Sequence, residues 1–443
     1  MYKTIWLAAL CGAALAAAAR AEPPAPVPAP DAAFDKLIEQ LGDADYRVRD
    51  EASRALKEAG LKALPALRQA VNHPDAEVRL RVHDLLPALE TAVLLTPKRF
   101  TATFEQKPLK EVIDALSKQT GYTVEFNTPD PNRLYTFRFA GASFWDAVDE
   151  ICRAAGLAPQ TNYGDDHVRL YPTDADCPFI VRDGAFRFTA LNFQQYRNVD
   201  FAVPKSGGGP RRSENLTLSF TIAVEPRMAL LGVGEAHLEA AYDEDKHSLL
   251  PPAADPNAPP GMRGGGRWTS GRYGQGNRMY NMQTQVNLQR PSEKSSIAKV
   301  VRGTVPLTLL IEQKPAVVAD KVLDAKGTKA TVGTTQFVIE DVTEEKGKQY
   351  KIKMTITEDV KGNPNDYSLN NSLYSRLELQ DDKGAKYQIY GSSWNGGGPG
   401  QLQVEFTFGA AGANAGPPAK LIFQEWKTLQ YSAPFEFKDL PLP

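Results

Sequence analysis

Cysteine is scarce in this chain, with only Cys11, Cys152 and Cys177 among 443 residues. Three cysteines cannot build the network of disulfides that stabilises many small secreted domains. The apolar residues around Cys152 favour a buried helical thiol over a disulfide with Cys177, although the pairing of these two stays open.

The chain also lacks an excess of charge of one sign. Its 51 Lys and Arg residues balance 53 Asp and Glu residues, which leaves a formal net charge of -2. A balanced charge provides no global field to attract nucleic acid or an anionic membrane. Beyond the first residues no segment approaches the roughly 20 apolar residues that a membrane helix needs. We therefore expect no nucleic-acid partner and no membrane span in the mature chain.

Catalytic and metal-binding motifs are missing as well. The histidines are scattered and none has a partner at metal-ligand spacing; they are His73, His83, His167, His237 and His247. The chain contains no nucleophile elbow, zinc-protease helix, P-loop or dinucleotide-binding fingerprint. The sequence predicts a protein that is not an enzyme, with no catalytic, cofactor-binding or metal-binding residues. An enzyme with a site dispersed over loops is the alternative.

Two acidic clusters occur between predicted strands. Asp243, Glu244 and Asp245 form one, and Asp381 and Asp382 form the other. Acidic residues are ordinary in turns, and neither cluster has the alternating spacing of a calcium-binding loop. Turn residues are the interpretation we favour, and calcium binding stays open as the alternative.

The first residues carry an export pattern. Lys3 precedes an apolar run from Ile5 to Ala19, and Ala19-Arg20-Ala21 is a small-x-small triplet. This pattern predicts a signal peptide over residues 1–21, cleaved after Ala21, and hence a periplasmic or secreted protein. Residues 22–31 are rich in Pro and Ala and predict an extended linker. Leu10 argues against lipid attachment at Cys11.

Residues 32–92 show apolar residues at the three- and four-residue steps of helices. The pattern Asp45-x-x-Val48-Arg49 recurs at a constant offset as Asp75-x-x-Val78-Arg79. Such a repeat predicts stacked helical pairs, and the segment resembles HEAT repeats. The resemblance implies a short α-solenoid that binds proteins. We expect the two aspartates to cap helices and the two arginines to support their own repeats.

Residues 98–172 contain a second duplication. The run FEQKPLKEVIDALSKQTG places Leu109, Val112, Ile113 and Leu116 on one helical face. A second copy follows with its own apolar face and an alternating aromatic strand before it; the face comprises Phe144, Ala147, Val148 and Ile151. The pattern predicts two β-α-β units whose helices cover one face of a small sheet.

This duplicated segment is similar to the short N-terminal (STN) domain of secretins and TonB-dependent receptors. The similarity implies a domain that docks onto envelope proteins and carries no catalytic residues. Neither a pore module nor a receptor barrel follows it, so only the docking role carries over. Because the two copies differ at Trp145, we expect specificity to begin there.

From Phe179 onward, polar and apolar residues alternate between turn signals. The pattern predicts two related β-sandwiches, over residues 179–318 and 328–443. The segment beginning LIFQEW at Leu421 is expected to supply the last strands of the second. The first includes a Gly- and Arg-rich loop, about 255–280, which contains Trp268 and Tyr273. This loop is either a plain connection or a contact site for a protein, a glycan or another envelope polymer.

Together these features predict a multidomain α+β protein with a short HEAT-like solenoid, an STN-like domain and two mainly-β sandwiches. The functional hypothesis is an exported, non-enzymatic adaptor or scaffold of the bacterial cell envelope. Its partners would be envelope or periplasmic proteins that the sequence does not identify. The alternative is a carbohydrate- or polymer-binding protein that uses Trp268, Tyr273 or Trp394 as stacking platforms.

Overall fold

The structure is a computed structural model that describes residues 32–161, 166–201, 210–251, 278–345, 348–358, 368–398, 400–410 and 415–443. The predicted signal peptide and linker, as well as Trp268 and Tyr273, lie outside the described residues. The chain divides into two compact units, one ending at Val93 and the other beginning at Leu94. A helical part is followed by many β-sheets, which is consistent with the predicted α+β class.

The first unit is built from helices. They are α1 (Ala32–Gln40), α2 (Tyr46–Ala59), α3 (Leu64–Gln69) and α4 (Ala76–Leu95), with short 3-10 helices at Gly60–Ala63 and Ala70–Asn72. Their apolar stripes meet in one core, in which Leu41, Leu56, Leu67 and Val82 are fully buried. Among the described helices of the whole chain, none has the length and hydropathy needed to cross a bilayer.

The repeated aspartates cap α2 and α4 in the same way. Asp45 Oδ1 accepts a hydrogen bond of 2.9 Å from the main-chain N–H of Arg47. Asp75 Oδ1 accepts one of 2.7 Å from the main-chain N–H of Glu77. Both carboxylates thus satisfy helix N–H groups that have no partner within the helix. The predicted capping role is confirmed.

The repeated arginines also make matching contacts. Arg49 Nη1 and Arg79 Nη1 each donate to two main-chain carbonyls in the turn before their own helix. The distances are 2.7 Å to Asp43 and 3.0 Å to Ala44 for the first, and 2.6 Å to His73 and 2.8 Å to Pro74 for the second. The two pairs of acceptors are separated by the same offset as the arginines themselves. These arginines support their own repeats, as the sequence predicts.

The second unit begins with the duplicated β-α-β segment. Its elements are β1 (Arg99–Pro108), α5 (Leu109–Thr120), β2 (Val124–Phe126), β3 (Leu134–Ser143), α6 (Phe144–Ala155), β4 (Leu157–Thr161) and β5 (Val168–Pro172). Gly121 ends α5 at φ 76° and Gly156 ends α6 at φ 67°. The left-handed conformation at both stops favours glycine, which confirms the two predicted helix ends.

The strands of this segment form two sheets, whereas one small sheet was predicted. β1 pairs antiparallel with β3, and a separate sheet has the order β2-β5-β4. Phe104 lies opposite Phe137, and Ala102 lies opposite Phe139. The rings of Phe100 and Phe139 pack across this pair with centroids 5.0 Å apart. Such cross-strand aromatic contacts stabilise the pairing of β1 with β3. Both sheets and both helices contribute to a single core.

Residues from 180 onward form two hydrophobic cores between sheets. The first β core has a sheet of order β11-β8-β7-β6 facing β9, β10 and parts of β12 and β19. These strands are β6 (Ile180–Asp183), β7 (Phe186–Asp200), β8 (Arg211–Val224), β9 (Ala229–Val233), β10 (His237–Asp243), β11 (Asn281–Leu288), β12 (Ile297–Asp320) and β19 (Pro418–Pro441).

The second β core repeats this arrangement with an additional strand. One sheet has the order β13-β14-β15-β18-β17, and β16 pairs with β19 in the facing sheet. Its own elements are a 3-10 helix (Val322–Asp324), β13 (Lys329–Val332), β14 (Thr335–Glu345), β15 (Gln349–Glu358), α7 (Ser368–Arg376), β16 (Leu377–Asp381), β17 (Tyr387–Gly398) and β18 (Gln401–Ala410).

Two long strands pass through both cores. β12 and β19 are 24 residues each and pair antiparallel from Ile297 opposite Pro441 to Asp320 opposite Lys420. The sequence predicts that the segment after Lys420 completes the second sandwich alone. The structure corrects this, because Phe423 lies in the second core and Phe435 lies in the first. A strand of this length extends about 80 Å, far more than one sheet needs.

Candidate interaction surfaces

An exposed aromatic side chain lies on the outer face of α2 and α4. The ring of Tyr46 is 62% exposed. The guanidinium carbons of Arg49 and Arg81 lie 5.6 and 5.9 Å from its centroid. Glu77 binds both arginines, at 3.2 and 2.8 Å. Leu80, which is also exposed, lies one helical turn after Glu77. These five residues are called the Tyr46 surface below.

The Tyr46 surface has the chemistry of a protein interface. Tyr and Arg are enriched at protein–protein interfaces and dominate their binding energy. The two guanidinium groups interact with the ring face, and Glu77 holds both of them in position. The ring therefore loses little side-chain entropy when a partner covers it.

Trp145 is buried, in contrast to its predicted role in specificity. Its side chain is 1% exposed, and Nε1 donates a 3.2 Å hydrogen bond to the main-chain oxygen of Ala185. The indole thus anchors α6 to the first β core. The prediction that partner specificity begins at Trp145 is wrong, because the difference between the two copies serves an internal contact.

A buried carboxylate reinforces the same junction. Glu225 accepts hydrogen bonds from the hydroxyl of Tyr122 at 2.7 Å and from the main-chain N–H of Lys98 at 3.0 Å. Arg227 lies 3.2 Å from it. Burial raises the pKa of Glu225 despite these partners, and burial together with the Glu225 charge raises the pKa of Tyr122. This group joins the β-α-β segment to the first β core.

A second buried acid completes the contact made by α6. Asp149 is almost fully buried, and its Oδ1 accepts from Arg187 Nη2 at 2.9 Å while its Oδ2 accepts from Arg187 Nε at 3.1 Å. Arg182 Nε donates to the same carboxylate at 2.7 Å. Bidentate pairs of this kind fix geometry as well as charge. The α6 face is therefore occupied within the chain.

Helix α5 keeps a solvated polar face. Lys107, at the end of β1, lies 3.0 Å from Glu111, and within the helix Lys110 lies 2.6 Å from Asp114. All four side chains are roughly half exposed or more. Pairs one helical turn apart in water contribute little to stability. Of the two helices of this segment, α5 is the one whose polar face is available to a partner.

The two acidic clusters are turns that bind their own main chain. The Asp243 carboxylate accepts from the N–H groups two and four residues on, at 3.0 and 2.8 Å, and from Ser295 Oγ at 2.7 Å. Asp381 accepts from the equivalent N–H groups, at 2.9 and 2.8 Å, and from Gly416 N–H at 2.9 Å.

Asp243 and Asp381 are therefore turn residues whose carboxylates accept main-chain hydrogen bonds within the turn. Main-chain hydrogen bonds from Gly416 and Ala385 lower the pKa of Asp381. Burial opposes ionisation of Asp243, but hydrogen bonds from Ser295 and His247 outweigh it and lower that pKa as well. Across the ranges described, no group of three or more His, Cys, Asp or Glu side chains could hold a metal ion. The carboxylate oxygens face N–H and O–H donors, which supports the turn interpretation over calcium binding.

The two described cysteines are both free thiols. Cys152 is buried in α6, and Cys177 is half-buried. Burial, with a contribution from the Asp149 charge, raises the pKa of Cys152 to about 12. A thiol with so high a pKa carries almost no thiolate and is a poor nucleophile at neutral pH. The sequence-based preference for a buried helical thiol is confirmed.

Aromatic side chains also cluster at the edge of the second β core. Trp394 in β17 and Tyr374 in α7 are 42% and 47% exposed. Both rings meet Phe406 edge-on, with centroids 6.1 and 5.3 Å away. Ser392 links them, because its Oγ accepts from Trp394 Nε1 at 3.0 Å and hydrogen-bonds the Tyr374 hydroxyl. We call Trp394, Tyr374 and Ser392 the β17 aromatic edge.

Of the three residues proposed from sequence as stacking platforms, Trp394 is the one that falls within the described part of the chain. Sequence reasoning missed Tyr374, which lies earlier in the chain in a short helix. It also missed Tyr46, although the arginine three residues after it belongs to the repeated pattern.

Comparison with known proteins identifies one part of the chain. No curated protein and no solved structure matches it. Residues 34–92 match the family model for HEAT repeats, so the helical unit that carries the Tyr46 surface is a HEAT-repeat segment.

Proposed function

We propose that the protein is an exported, non-enzymatic adaptor of the bacterial cell envelope. It binds protein partners through its HEAT-repeat segment and its β-α-β segment. The observation that carries this proposal is the HEAT match over residues 34–92, combined with the exposed, ion-paired Tyr46 surface on that segment. HEAT arrays are stacked helical pairs that present extended surfaces to protein ligands.

The β-α-β segment supplies the second docking surface in this proposal. Its tandem order, its glycine stops and the capping of α6 by Ser143 agree with the STN-like pattern in the sequence. Because α6 is packed internally, the polar face of α5 is the part offered to a partner. Envelope docking is the role that the STN resemblance implies.

Export follows from the signal-peptide pattern of residues 1–21. The expected mature protein begins at Glu22 and is found in the periplasm or the medium. Amino-terminal sequencing of the protein recovered from the periplasmic fraction tests this directly. If the protein keeps residues 1–21 and is found in the cytoplasm, the proposed location in the cell envelope is wrong.

The adaptor role is tested by in-cell crosslinking with the full-length chain. Photo-crosslinkers placed next to Tyr46 should trap a discrete partner. Purified partner should then bind the wild type saturably and the double variant Tyr46→Ala, Leu80→Ala at least about tenfold more weakly, a loss of roughly 1.4 kcal/mol. Leu61→Ala is the matched control, because Leu61 is an exposed apolar residue of the same unit outside this surface. Equal binding by the double variant would reject the Tyr46 surface as the binding site.

Carbohydrate binding is the second candidate function, and the β17 aromatic edge supports it. Exposed Trp and Tyr rings with a hydroxyl group between them suit the apolar face and hydroxyls of a sugar ring. A glycan array probed with the full-length chain should show ligands that Trp394→Ala loses. Tyr196→Ala, at an exposed tyrosine of the first β core, should keep them. An array without ligands for the wild type would rule this candidate out.

A further inference from the structure

Among the described residues, the first β core has no counterpart of one strand of the second β core. In the second core, β17 pairs with the outer edge of β18, from Tyr387 opposite Ala410 to Gly398 opposite Gln401. The related strand of the first core is β11. In the described part of the chain, β11 pairs with β8 on one side and with no strand on the other.

The equivalence of β11 and β18 rests on the duplicated sheets. Met282 lies opposite Ile222 in the first core, as Leu402 lies opposite Ile356 in the second. The neighbouring strands carry their bulges at matching positions, after Ala190 in β7 and after Ile339 in β14. The turns at Asp243 and Asp381 make matching hydrogen bonds. The Asp381 turn precedes β17 and β18 in the chain, and the Asp243 turn precedes β11. β17 therefore shows what belongs next to β11.

The main chain of β11 presents free hydrogen-bonding groups at this edge. Tyr280 C=O accepts from Val224 N–H in β8 at 3.0 Å, so alternate residues from Tyr280 face β8. The residues between them face outward, as shown by Gln289 N–H, which donates to Leu249 C=O at 2.8 Å. Gln283, Gln285 and Asn287 share that outward direction. Their main-chain groups have no hydrogen-bond partner among the described residues.

A groove lies along these groups. It encloses about 360 Å³ and is lined by Glu235, His237, Leu238, Leu250, Gln285 and Asn287, among others. Leu249 marks its start, since it follows Asp243 by six residues just as Tyr387, the first residue of β17, follows Asp381. Leu249 N–H also donates to Ala241 C=O at 2.9 Å. The groove therefore begins where β17 begins in the second core.

We propose that the groove beside β11 binds an extended peptide segment of a partner protein, which adds to the sheet as a strand antiparallel to β11. Main-chain hydrogen bonds with Gln283, Gln285 and Asn287 would supply the affinity, as in other cases of strand addition. Alternate side chains of the peptide would face Leu238 and Leu250. Glu235 forms no ion pair among the described residues and favours a Lys or Arg in the peptide.

A peptide strand fits this groove better than a small molecule does. Unpaired N–H and C=O groups in a row are complementary to another main chain, and an open edge of this kind is a template for pairing. All described strands of the chain already pair elsewhere. An external strand is therefore the occupant we assign.

The test uses a fluorescent synthetic peptide with the β17 sequence, Tyr387–Gly398, added to the full-length protein. Fluorescence anisotropy should show saturable binding of one peptide per chain. Gln285→Pro should weaken binding at least about tenfold, because proline has no N–H to donate. Gln285→Thr keeps the N–H group and should bind within about threefold of the wild type.

Two controls separate loss of binding from loss of folding. Proline is tolerated at an edge position whose N–H faces outward, so Gln285→Pro should keep the wild-type circular dichroism spectrum. A peptide N-methylated at alternate residues removes the donors from the probe and should fail to bind the unaltered protein. Tyr46→Ala should leave peptide binding unchanged, so this site and the HEAT surface are tested separately.

Three results would overturn the proposal. The first is the absence of saturable peptide binding, and the second is equal binding by Gln285→Pro or by the N-methylated peptide. The third is binding that emerges only after residues 252–277 are replaced by a short Gly-Ser link. That last result would mean that the chain's own segment closes the groove.

Discussion

At the scale of single residues, Arg79 shows what the repeated arginine does. Replacing it with Lys keeps the charge but loses the rigid planar guanidinium, whose Nη1 donates to both carbonyls. We expect Arg79→Lys to lower the unfolding free energy of the HEAT unit by about 1 kcal/mol, measured by urea denaturation. Arg54→Lys, at an exposed arginine that pairs with Asp50 at 3.3 Å, should change it by less than about 0.5 kcal/mol. Equal losses would mean that the carbonyl hydrogen bonds of Arg79 add no stability beyond that of an ordinary exposed arginine.

Glu244 should make stability depend on acid pH. Hydrogen bonds from the main-chain N–H of Ser296 and of Glu244 itself, with one from the Ser296 hydroxyl, lower its pKa from 4.5 to about 2. A lowered folded-state pKa contributes stability that is present above the unfolded value and is lost as pH falls towards the folded value. Glu244→Gln should therefore lower the urea midpoint at pH 7 and flatten its decline between about pH 4.5 and 2.

Glu235→Gln is the matched control for this titration, because Glu235 is exposed and has no described ion pair. Its urea midpoint should follow the wild type at each pH. If the Glu244→Gln curve also ran parallel to the wild type, the hydrogen bonds at Glu244 would carry no net stabilisation.

Residue-level prediction from sequence succeeded where the contact is local. The caps at Asp45 and Asp75 and the glycine stops follow from positions within one helical turn. Trp145 and Glu225 could not be placed, because their partners lie 40 and 103 residues away. A periodic pattern records which face is apolar, but it does not record whether that face meets a neighbouring domain.

At the scale of elements, β12 and β19 determine how the two β cores depend on each other. Phe435 packs against Phe188 and Phe220 in the first core, whereas Phe423 packs against Phe337 in the second. We expect Phe435→Ala and Phe423→Ala each to cost about 3–5 kcal/mol. Hydrogen exchange should show reduced amide protection at β7 and β8 for Phe435→Ala and at β14 and β15 for Phe423→Ala.

This experiment distinguishes strands that pass through both β cores from two self-contained sandwiches. Both phenylalanines lie on the same strand, so self-contained domains would lose protection in the same core. The strands themselves could be predicted, because alternation is a local pattern. The core that each half of β19 joins could not be predicted, because both cores are apolar and strand length alone does not select between them.

At the scale of the whole molecule, the junction of the β-α-β segment with the first β core is a polar, buried contact. Tyr122→Phe removes one donor from Glu225 and should lower the unfolding free energy of the second unit by about 1–3 kcal/mol. The hydrogen bond from Tyr122 lowers the pKa of Glu225, so its removal should raise that pKa further. A raised folded-state pKa destabilises the folded protein at pH values where the carboxyl is ionised, so the loss of stability should grow as pH rises. Thermal unfolding at pH 5 and pH 8 measures both effects.

Tyr171→Phe serves as the control for this junction, because Tyr171 is exposed and belongs to the same segment. It should melt as the wild type does at both pH values. A Tyr122→Phe protein with wild-type stability would show that Glu225 is satisfied by Lys98 and Arg227 alone.

The passage of β19 through both cores also constrains biosynthesis. The interior of the first β core includes Ala185, and it stays incomplete until Ala433 to Leu440 have left the ribosome. Contacts so distant along the chain slow folding, because a large loop must close before they form. For a protein exported as proposed, this delay would favour translocation, since the earlier strands of the first β core reach the export machinery before that core can form.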